Sequence, residues 1–202
     1  MPPPEPPELV VRDATAWRRW LERHHTDHTG IWLVLAKKGT SEPTTLTYAA
    51  ALEEALCFGW IDGQVRRGDD ASYSQRFTPR RARSRWSQRN VEHVGRLLGA
   101  GRMHKAGIAE MERAQADGRW AAAYPGMAAA EVPADLAVAL TGSPRAAAAF
   151  ATLSAQNRYA LLFRLGAIRG EAARAKRIAQ FVGMLERGAT IHPQARRPPA
   201  SA

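Results

Sequence analysis

The sequence contains a single cysteine, few lysines and no long apolar run. Cys57 stands alone among 202 residues, which excludes an intrachain disulfide and any metal site built only from cysteines. So few thiols are typical of a protein from a reducing compartment. Nowhere do 18 apolar residues follow one another, and residues 1–8 are rich in proline and lack the apolar stretch of a signal peptide. We therefore expect a cytoplasmic protein that does not span a membrane.

Several familiar catalytic motifs are absent as well. The sequence has no P-loop, no G-x-G-x-x-G, no G-x-S-x-G and no H-E-x-x-H. No motif therefore indicates a nucleotide-binding protein, a dinucleotide-binding protein, a hydrolase or a zinc protease. The clustered histidines are His24, His25 and His28, and no carboxylate or cysteine stands at a spacing that would complete a metal site with them. The sequence thus predicts neither a metal nor a cofactor, and it leaves open whether the protein is an enzyme.

The charge of the chain is basic and unevenly distributed. The formal net charge is +10, and arginine dominates because only four of the 29 basic residues are lysines. Residues 64–105 contain 11 basic and 3 acidic side chains, and residues 164–202 contain 8 and 2. The remaining segments, 1–63 and 106–163, are slightly acidic. Such local excesses of positive charge indicate an anionic small molecule or an acidic partner.

Patterns of apolar residues divide the chain into two parts. Over residues 9–120, short apolar runs alternate with helical patterns, which predicts an α+β domain with a small sheet of about three to five strands packed with helices. Residues 121–133 are rich in alanine and are predicted to form a linker. Residues 134–188 are predicted to form an all-helical subdomain. The two tails, 1–8 and 189–202, are predicted to be disordered.

Capping residues predict several element boundaries. Asp13 and Thr47 precede helical patterns and are expected as N-caps, while Gly59 is expected to end the second helix. In the C-terminal part, Ser143 and Ser154 are the expected caps. Strands are predicted at residues 31–36, 64–67 and 72–77.

The most informative segment is residues 76–90, which contains six arginines, two serines and Trp86. Ser84 is predicted to cap a helix over residues 85–98, so that free backbone N–H groups at the positive helix end would face Arg80 and its neighbours. This arrangement predicts a pocket for a phosphate or a carboxylate. Two alternatives stay open. One is a solvated basic surface, and the other is a nucleic-acid contact in which arginines bind the backbone and the aromatic ring stacks on a base.

Residues 55–63 form the densest apolar segment and contain the lone thiol. Cys57 falls in the last turn of a predicted helix, where the negative helix end disfavours a thiolate, so a buried structural cysteine is favoured over a nucleophile. Asp62 lies between Gly59 and Gly63 at a predicted helix-to-strand turn. It is a candidate general base or a counter-ion for an arginine, with a plain turn residue as the alternative.

These segments together predict one ligand-binding site. Asn90 shares a helix face with Trp86, so we expect its amide to be buried and to need a partner such as a backbone group or a ligand. Asp62 is also the candidate catalytic residue. The candidate ligand-binding residues are Lys37, Trp60, Asp62, Arg76, Arg80, Ser84, Trp86 and Asn90.

A set of short segments between residues 30 and 120 forms a recognisable series. They are Gly30-Ile31-Trp32-Leu33, Lys37-Lys38, Ala55 through Gly63, Arg76 through Arg80, Ser84, Trp86-Ser87, Asn90, Gly101-Arg102-Met103 and Asp117-Gly118-Arg119-Trp120. In order and spacing these segments resemble the YdeI/OmpD-associated family, whose members are also labelled bacteriocin-protection proteins. The resemblance extends over roughly residues 16–192, and the C-terminal helices resemble that family's OmdA region. It implies resistance to cationic antimicrobial peptides and association with envelope proteins, and it implies no catalytic residues.

The leading hypothesis combines these observations. It describes a stress-response or antimicrobial-resistance accessory protein that binds an anionic small molecule or a peptide carboxylate at the candidate site. The first alternative is a nucleic-acid-binding module that uses residues 64–105 and 164–197 as one surface. The second is an enzyme that uses the same cleft.

Overall fold

The structure is a computed structural model that describes residues 5–194. It contains two compact units, and the boundary between them in the chain lies between Ala123 and Tyr124. The first unit contains a four-stranded sheet and helices, and the described part of the second unit is helical. The predicted α+β class with a helical part after the sheet is therefore confirmed.

The sheet of the first unit has four strands. They are β1 (Glu8–Leu9), β2 (Ile31–Ala36), β3 (Trp60–Arg67) and β4 (Ser72–Pro79). Their order is β1-β2-β4-β3, with β1 parallel to β2 and the other pairs antiparallel. The register places Ile31 opposite Phe77 and Ala36 opposite Ser72, so β2 and β4 pair along the whole of β2.

Four helices of the first unit surround its core. They are α1 (Ala14–His24), α2 (Tyr48–Cys57), α3 (Gln88–Gly99) and α4 (Lys105–Ala116). Asp13 and Thr47 cap α1 and α2 through their side-chain oxygens, as predicted. The core contains large aromatic side chains that pack against one another. The ring centre of Trp17 lies 6.3 Å from that of Trp60 and 5.9 Å from that of Phe77.

The predicted start of α3 is wrong by three residues. Ser87, not Ser84, is the N-cap, and its hydroxyl accepts a hydrogen bond from the backbone N–H of Asn90 at 3.1 Å. The hydroxyl of Ser84 accepts a hydrogen bond from the backbone N–H of Arg81 at 2.8 Å. Ser84 therefore closes a turn before the helix, and this local bond competes with capping.

Strand β3 begins earlier than predicted and contains a bulge. Gly59, with a φ of 75°, ends α2 as expected and reverses the chain directly into Trp60. Asp62 therefore lies in a strand opposite Phe77 and not in a turn. The register shifts after Asp62, and the side-chain amide of Gln75 donates a hydrogen bond to the carbonyl of Gly63 at 2.9 Å within this bulge.

The second unit packs helices around its own core. They are α5 (Ala134–Thr141), α6 (Pro144–Ala151), α7 (Ala155–Gly166) and α8 (Glu171–Glu186), preceded by a 3₁₀ turn at Met127–Ala129. Ser143 and Ser154 cap α6 and α7, as predicted. The buried residues Phe150, Leu161 and Phe181 lie in this core, so the unit has the apolar interior that independent folding needs.

Parts of both predicted tails make defined contacts. Arg66 pairs with Glu5 and Glu8, and the side chains of Asn157 and Gln194 are hydrogen-bonded to each other. The rest of the predicted tails, residues 1–4 and 195–202, lies outside the described residues. Within residues 5–194, no helix combines the length and the apolar character that crossing a membrane requires.

Candidate functional site

The structure places four of the candidate residues at the connection between β4 and α3. Arg80 follows directly after β4, and Ser84, Trp86 and Asn90 follow within the next ten positions. We call residues 81–87 the basic loop. No acidic residue occurs anywhere between positions 71 and 91 of the sequence, so the loop has no acidic neighbour along the chain.

Arg80 lies beneath the basic loop and not on its surface. Only 8% of the residue is exposed, and its guanidinium carbon lies 3.6 Å from the centre of the Trp86 ring. Its Nη1 donates a hydrogen bond to the carbonyl of Arg85 at 3.0 Å. Arg80 therefore supports the loop from inside, and its predicted contact with a ligand stays a prediction.

Arg119 supports the same loop, although it is not among the site residues that the sequence patterns predict. Its Nη1 donates to the carbonyl of Ser84 at 3.2 Å and to Glu110 at 2.9 Å, while its Nε donates to Asp117. This last hydrogen bond lowers the pKa of Asp117. Arg119 lies 35 positions after Ser84, and the only sequence signal for it was its place in the Asp117-to-Trp120 segment of the family resemblance.

The outer side of the loop presents positive charge. Arg81 and Arg83 are exposed, and neither forms an ion pair with any residue of the described part. Both arginines belong to the turn over residues 81–84 that the Ser84 hydroxyl closes. A carboxylate or phosphate that approached this surface would meet two guanidinium groups without acidic partners.

Two buried side chains at the base of the loop each keep one nitrogen atom without a hydrogen-bond partner. Trp86 is 2% exposed and Arg119 is 8% exposed, and among the described residues neither Trp86 Nε1 nor Arg119 Nη2 has a hydrogen-bond partner. Asn90 is 7% exposed and is therefore buried, as predicted.

Asp62 and Trp60 face the core side of the sheet. The hydroxyl of Tyr48 donates a hydrogen bond to Asp62 at 2.8 Å. Burial raises the pKa of Tyr48, and the hydrogen bond to Asp62 and the charge of Asp62 raise it further, whereas Arg89 opposes the shift. Trp60 is almost fully buried, and its indole N–H donates to the carbonyl of His25 at 3.1 Å, so its ring belongs to the core.

Lys37 and Arg76 are separated from the other candidates. Lys37 follows β2 at the end where the β3–β4 hairpin turns, and its Nζ donates to the carbonyl of Asp69. Arg80 lies beyond the opposite end of β4, so the structure does not bring these two residues together. Arg76 lies opposite Trp32 in the register, on the sheet face that Phe77 does not occupy.

Cys57 is buried, as predicted. Burial raises the pKa of its thiol, and the charge of Glu54 raises it further, whereas Arg18 opposes the shift. Glu54 accepts hydrogen bonds from Arg18 at 2.9 Å and from Arg102 at 2.6 Å. The negative charge beside the thiol is therefore shared by two guanidinium groups, and the site does not favour a thiolate.

The clustered histidines pack against an aromatic ring. The ring centre of Trp20 lies 5.2 Å from that of His24 and 5.1 Å from that of His28. Among the residues that the structure describes, no group of three or more histidine, cysteine or acidic side chains is placed to hold a metal ion.

Comparison with known families divides the chain in the same way as the fold. Residues 9–110 match the family model described as a domain of unknown function (DUF8412), and residues 129–188 match the OmdA model, described as bacteriocin-protection, YdeI or OmpD-associated. No curated protein and no solved structure matches the chain. Most residues behind the predicted resemblance lie in the first unit, whereas the OmdA match lies in the second. The chain therefore belongs to the DUF8412 family, and its residues 129–188 are similar to the bacteriocin-protection, YdeI or OmpD-associated family.

Proposed function

We propose that the protein acts as a bacteriocin-protection accessory protein that binds an anionic small molecule or a peptide carboxylate at the basic loop. The OmdA match supports the accessory role at the level of the family. Anion binding is a separate part of the proposal, and the geometry of the loop supports it. The predicted cytoplasmic location stays a prediction.

One observation supports anion binding most strongly. Residues 71–91 contain six arginines and no acidic residue, and Arg81 and Arg83 are exposed without an ion pair among the described residues. Surface arginines usually lie near carboxylates of the same protein, which neutralise part of their charge. At the basic loop no carboxylate of the described residues neutralises Arg81 and Arg83, so their positive charge can attract an anionic ligand. Guanidinium groups bind carboxylates and phosphates with defined geometry.

The interior contacts prepare the loop for binding. Arg80 and Arg119 donate hydrogen bonds to the carbonyls of Arg85 and Ser84 from beneath, and the Ser84 hydroxyl binds the backbone of Arg81. A loop that is ordered before binding loses less conformational entropy when the ligand arrives. The buried arginines therefore support the position of the exposed ones.

Calorimetric titration with inorganic phosphate, sulfate and acetate tests anion binding. The variant Arg81→Ala/Arg83→Ala removes the two exposed guanidinium groups and is expected to weaken binding by about tenfold or more. The matched control is Arg19→Ala/Arg67→Ala, because it also removes two exposed arginines that form no ion pair within the described chain. At constant ionic strength the control should bind like the wild type.

Two outcomes would contradict the proposal. Equal weakening in both double variants would mean that net charge, and not the loop, attracts the anion. Absence of binding by the wild type, together with tight and steeply salt-dependent binding of a single-stranded oligonucleotide, would favour the nucleic-acid alternative, because counterion release makes such binding fall with salt.

The family-level role has its own test. A bacterial strain that expresses the protein should survive a bacteriocin better than the same strain without it, and Arg81→Ala/Arg83→Ala should reduce the protection if anion binding serves it. Equal survival with and without the protein would contradict the accessory role.

A further inference from the structure

We propose that the buried N–H groups of Trp86 and Arg119 form a second layer of the anion site and donate hydrogen bonds to an oxyanion of the ligand. This inference rests on the proposed function, because it names the groups that contact the anion after the surface arginines have attracted it. The ligand chemistry is that of a carboxylate or phosphate oxygen.

Two other buried indoles of the first unit have hydrogen-bond partners within the chain, whereas Trp86 does not. The indole N–H of Trp17 donates to the carbonyl of Ala51 at 3.1 Å, and that of Trp60 donates to the carbonyl of His25 at 3.1 Å. Trp86 is buried to a similar degree, yet its Nε1 has no acceptor among the described residues. Buried donors without an acceptor are rare in native proteins, and a bound molecule is one common reason for them.

Arg119 offers one remaining donor beside this indole. Its Nε is used by Asp117, and its Nη1 is used by Glu110 and by the carbonyl of Ser84, while Nη2 has no partner in the described chain. Ser84 lies two residues before Trp86. Trp120, the residue after Arg119, has its ring 4.8 Å from that of Trp86, so both residues lie close together beneath the loop. Two N–H donors in one neighbourhood suit an oxyanion, because each of its oxygens accepts several hydrogen bonds.

Neighbouring contacts define the walls of this region. The ring of Trp120 lies 4.8 Å from the ring of Trp86, and the guanidinium of Arg80 covers Trp86 at 3.6 Å. Asn90 lies in the first turn of α3 and is 7% exposed, so its amide adds a polar group near Trp86. The site thus combines two aromatic rings with positively charged and amide donors, all next to the basic loop.

Access to these donors requires the loop to move. Both unpartnered nitrogen atoms are buried, whereas Arg81 and Arg83 on the loop above them are exposed. Hydrogen bonds from Arg80 and Arg119 to its carbonyls hold the loop in place in the unbound protein. Surface loops open at lower free energy than the core, so the ligand can enter by displacing this segment.

Substitution of single indoles tests the inference in the full-length protein. Trp86→Phe keeps a buried aromatic ring and removes only the indole donor. Trp32→Phe is the matched control, since Trp32 Nε1 is also buried and unpartnered among the described residues but lies in β2, away from the loop. Phosphate and acetate are titrated separately while the indole N–H resonances are followed by NMR and the affinities by calorimetry.

The expected result is a saturable shift of the Trp86 indole resonance and an affinity about tenfold lower in Trp86→Phe, with Trp32→Phe unchanged. A shift with phosphate alone supports a phosphate ester as the ligand class, and a shift with acetate alone supports a carboxylate. Sequential assignment of the wild-type resonances keeps the test valid even if Trp86→Phe folds poorly.

Two results would overturn the inference, and only one of them would also refute the proposed function. If the wild type binds phosphate or acetate, loses binding in Arg81→Ala/Arg83→Ala, but shows an unshifted Trp86 indole, the buried site is refuted and the proposed surface site remains. If the wild type binds neither anion, both the buried site and the proposed function are refuted.

Discussion

Gly107 allows α4 to contact the end of α2, and its replacement by alanine should destabilise the first unit. A Cβ at this position would lie 2.2 Å from the carbonyl oxygen of Cys57 and 2.7 Å from its carbonyl carbon. These are backbone atoms, so no side-chain rotation relieves the overlap. The backbone N–H of His104 donates to the same carbonyl at 3.0 Å, and relief would require this contact to shift.

The expected magnitude follows from two opposing effects. Alanine has a helix propensity about 1 kcal/mol better than glycine, which favours the variant. Overpacking of a rigid interface costs about 1–3 kcal/mol and more when the backbone must move. Because the added Cβ would overlap backbone atoms of Cys57 in α2, we expect Gly107→Ala to lower the free energy of unfolding by about 2 kcal/mol net.

Gly95 supplies a matched control on α3. An added Cβ at Gly95 meets no atom within 4 Å, so Gly95→Ala should raise the free energy of unfolding by up to about 1 kcal/mol. All six tryptophans lie between positions 17 and 120, so their fluorescence during urea unfolding follows the first unit alone. A midpoint for Gly107→Ala equal to or above that of the wild type would refute the close contact between α4 and α2.

Three further predictions concern single side chains of the first unit. Cys57 should react slowly with iodoacetamide at pH 7 when native and rapidly after unfolding, because burial raises the pKa of its thiol; rapid native alkylation would contradict this. Burial also raises the pKa of Tyr48, so the folded state retains a proton that the unfolded state loses, and the free energy of unfolding should fall as pH rises above about 10. This fall should be smaller in Tyr48→Phe, and an equal fall in both proteins would refute the assignment. Ser87→Ala should lower the free energy of unfolding by about 1 kcal/mol and Ser84→Ala by less, because Ser87 caps α3; the opposite order in urea unfolding would refute this cap.

Local properties of the sequence predict many of the element boundaries. Asp13 and Thr47 are identified correctly because an N-cap needs only a short polar side chain before an apolar helical pattern. Ser84 and Ser87 satisfy that rule equally well. The structure distinguishes them through a turn bond between the Ser84 hydroxyl and the backbone of Arg81, which the sequence pattern does not reveal.

The composition of the candidate site depends on contacts that sequence spacing does not encode. Arg80 and Arg83 lie three positions apart, yet Arg80 is buried against Trp86 and Arg83 is exposed. Arg119 reaches the loop from the end of α4, and this contact depends on how the helices pack. Lys37 is excluded from the site by the antiparallel register of β2 and β4, which places it at the far end of the sheet.

Binding of an anion by the basic loop is tested by mapping the backbone amide resonances of the protein during a phosphate titration. We expect saturable chemical-shift changes concentrated at residues 81–90, and their loss in Arg81→Ala/Arg83→Ala but not in Arg19→Ala/Arg67→Ala. Shifts that do not saturate, or that are spread over basic residues throughout the chain, would contradict it.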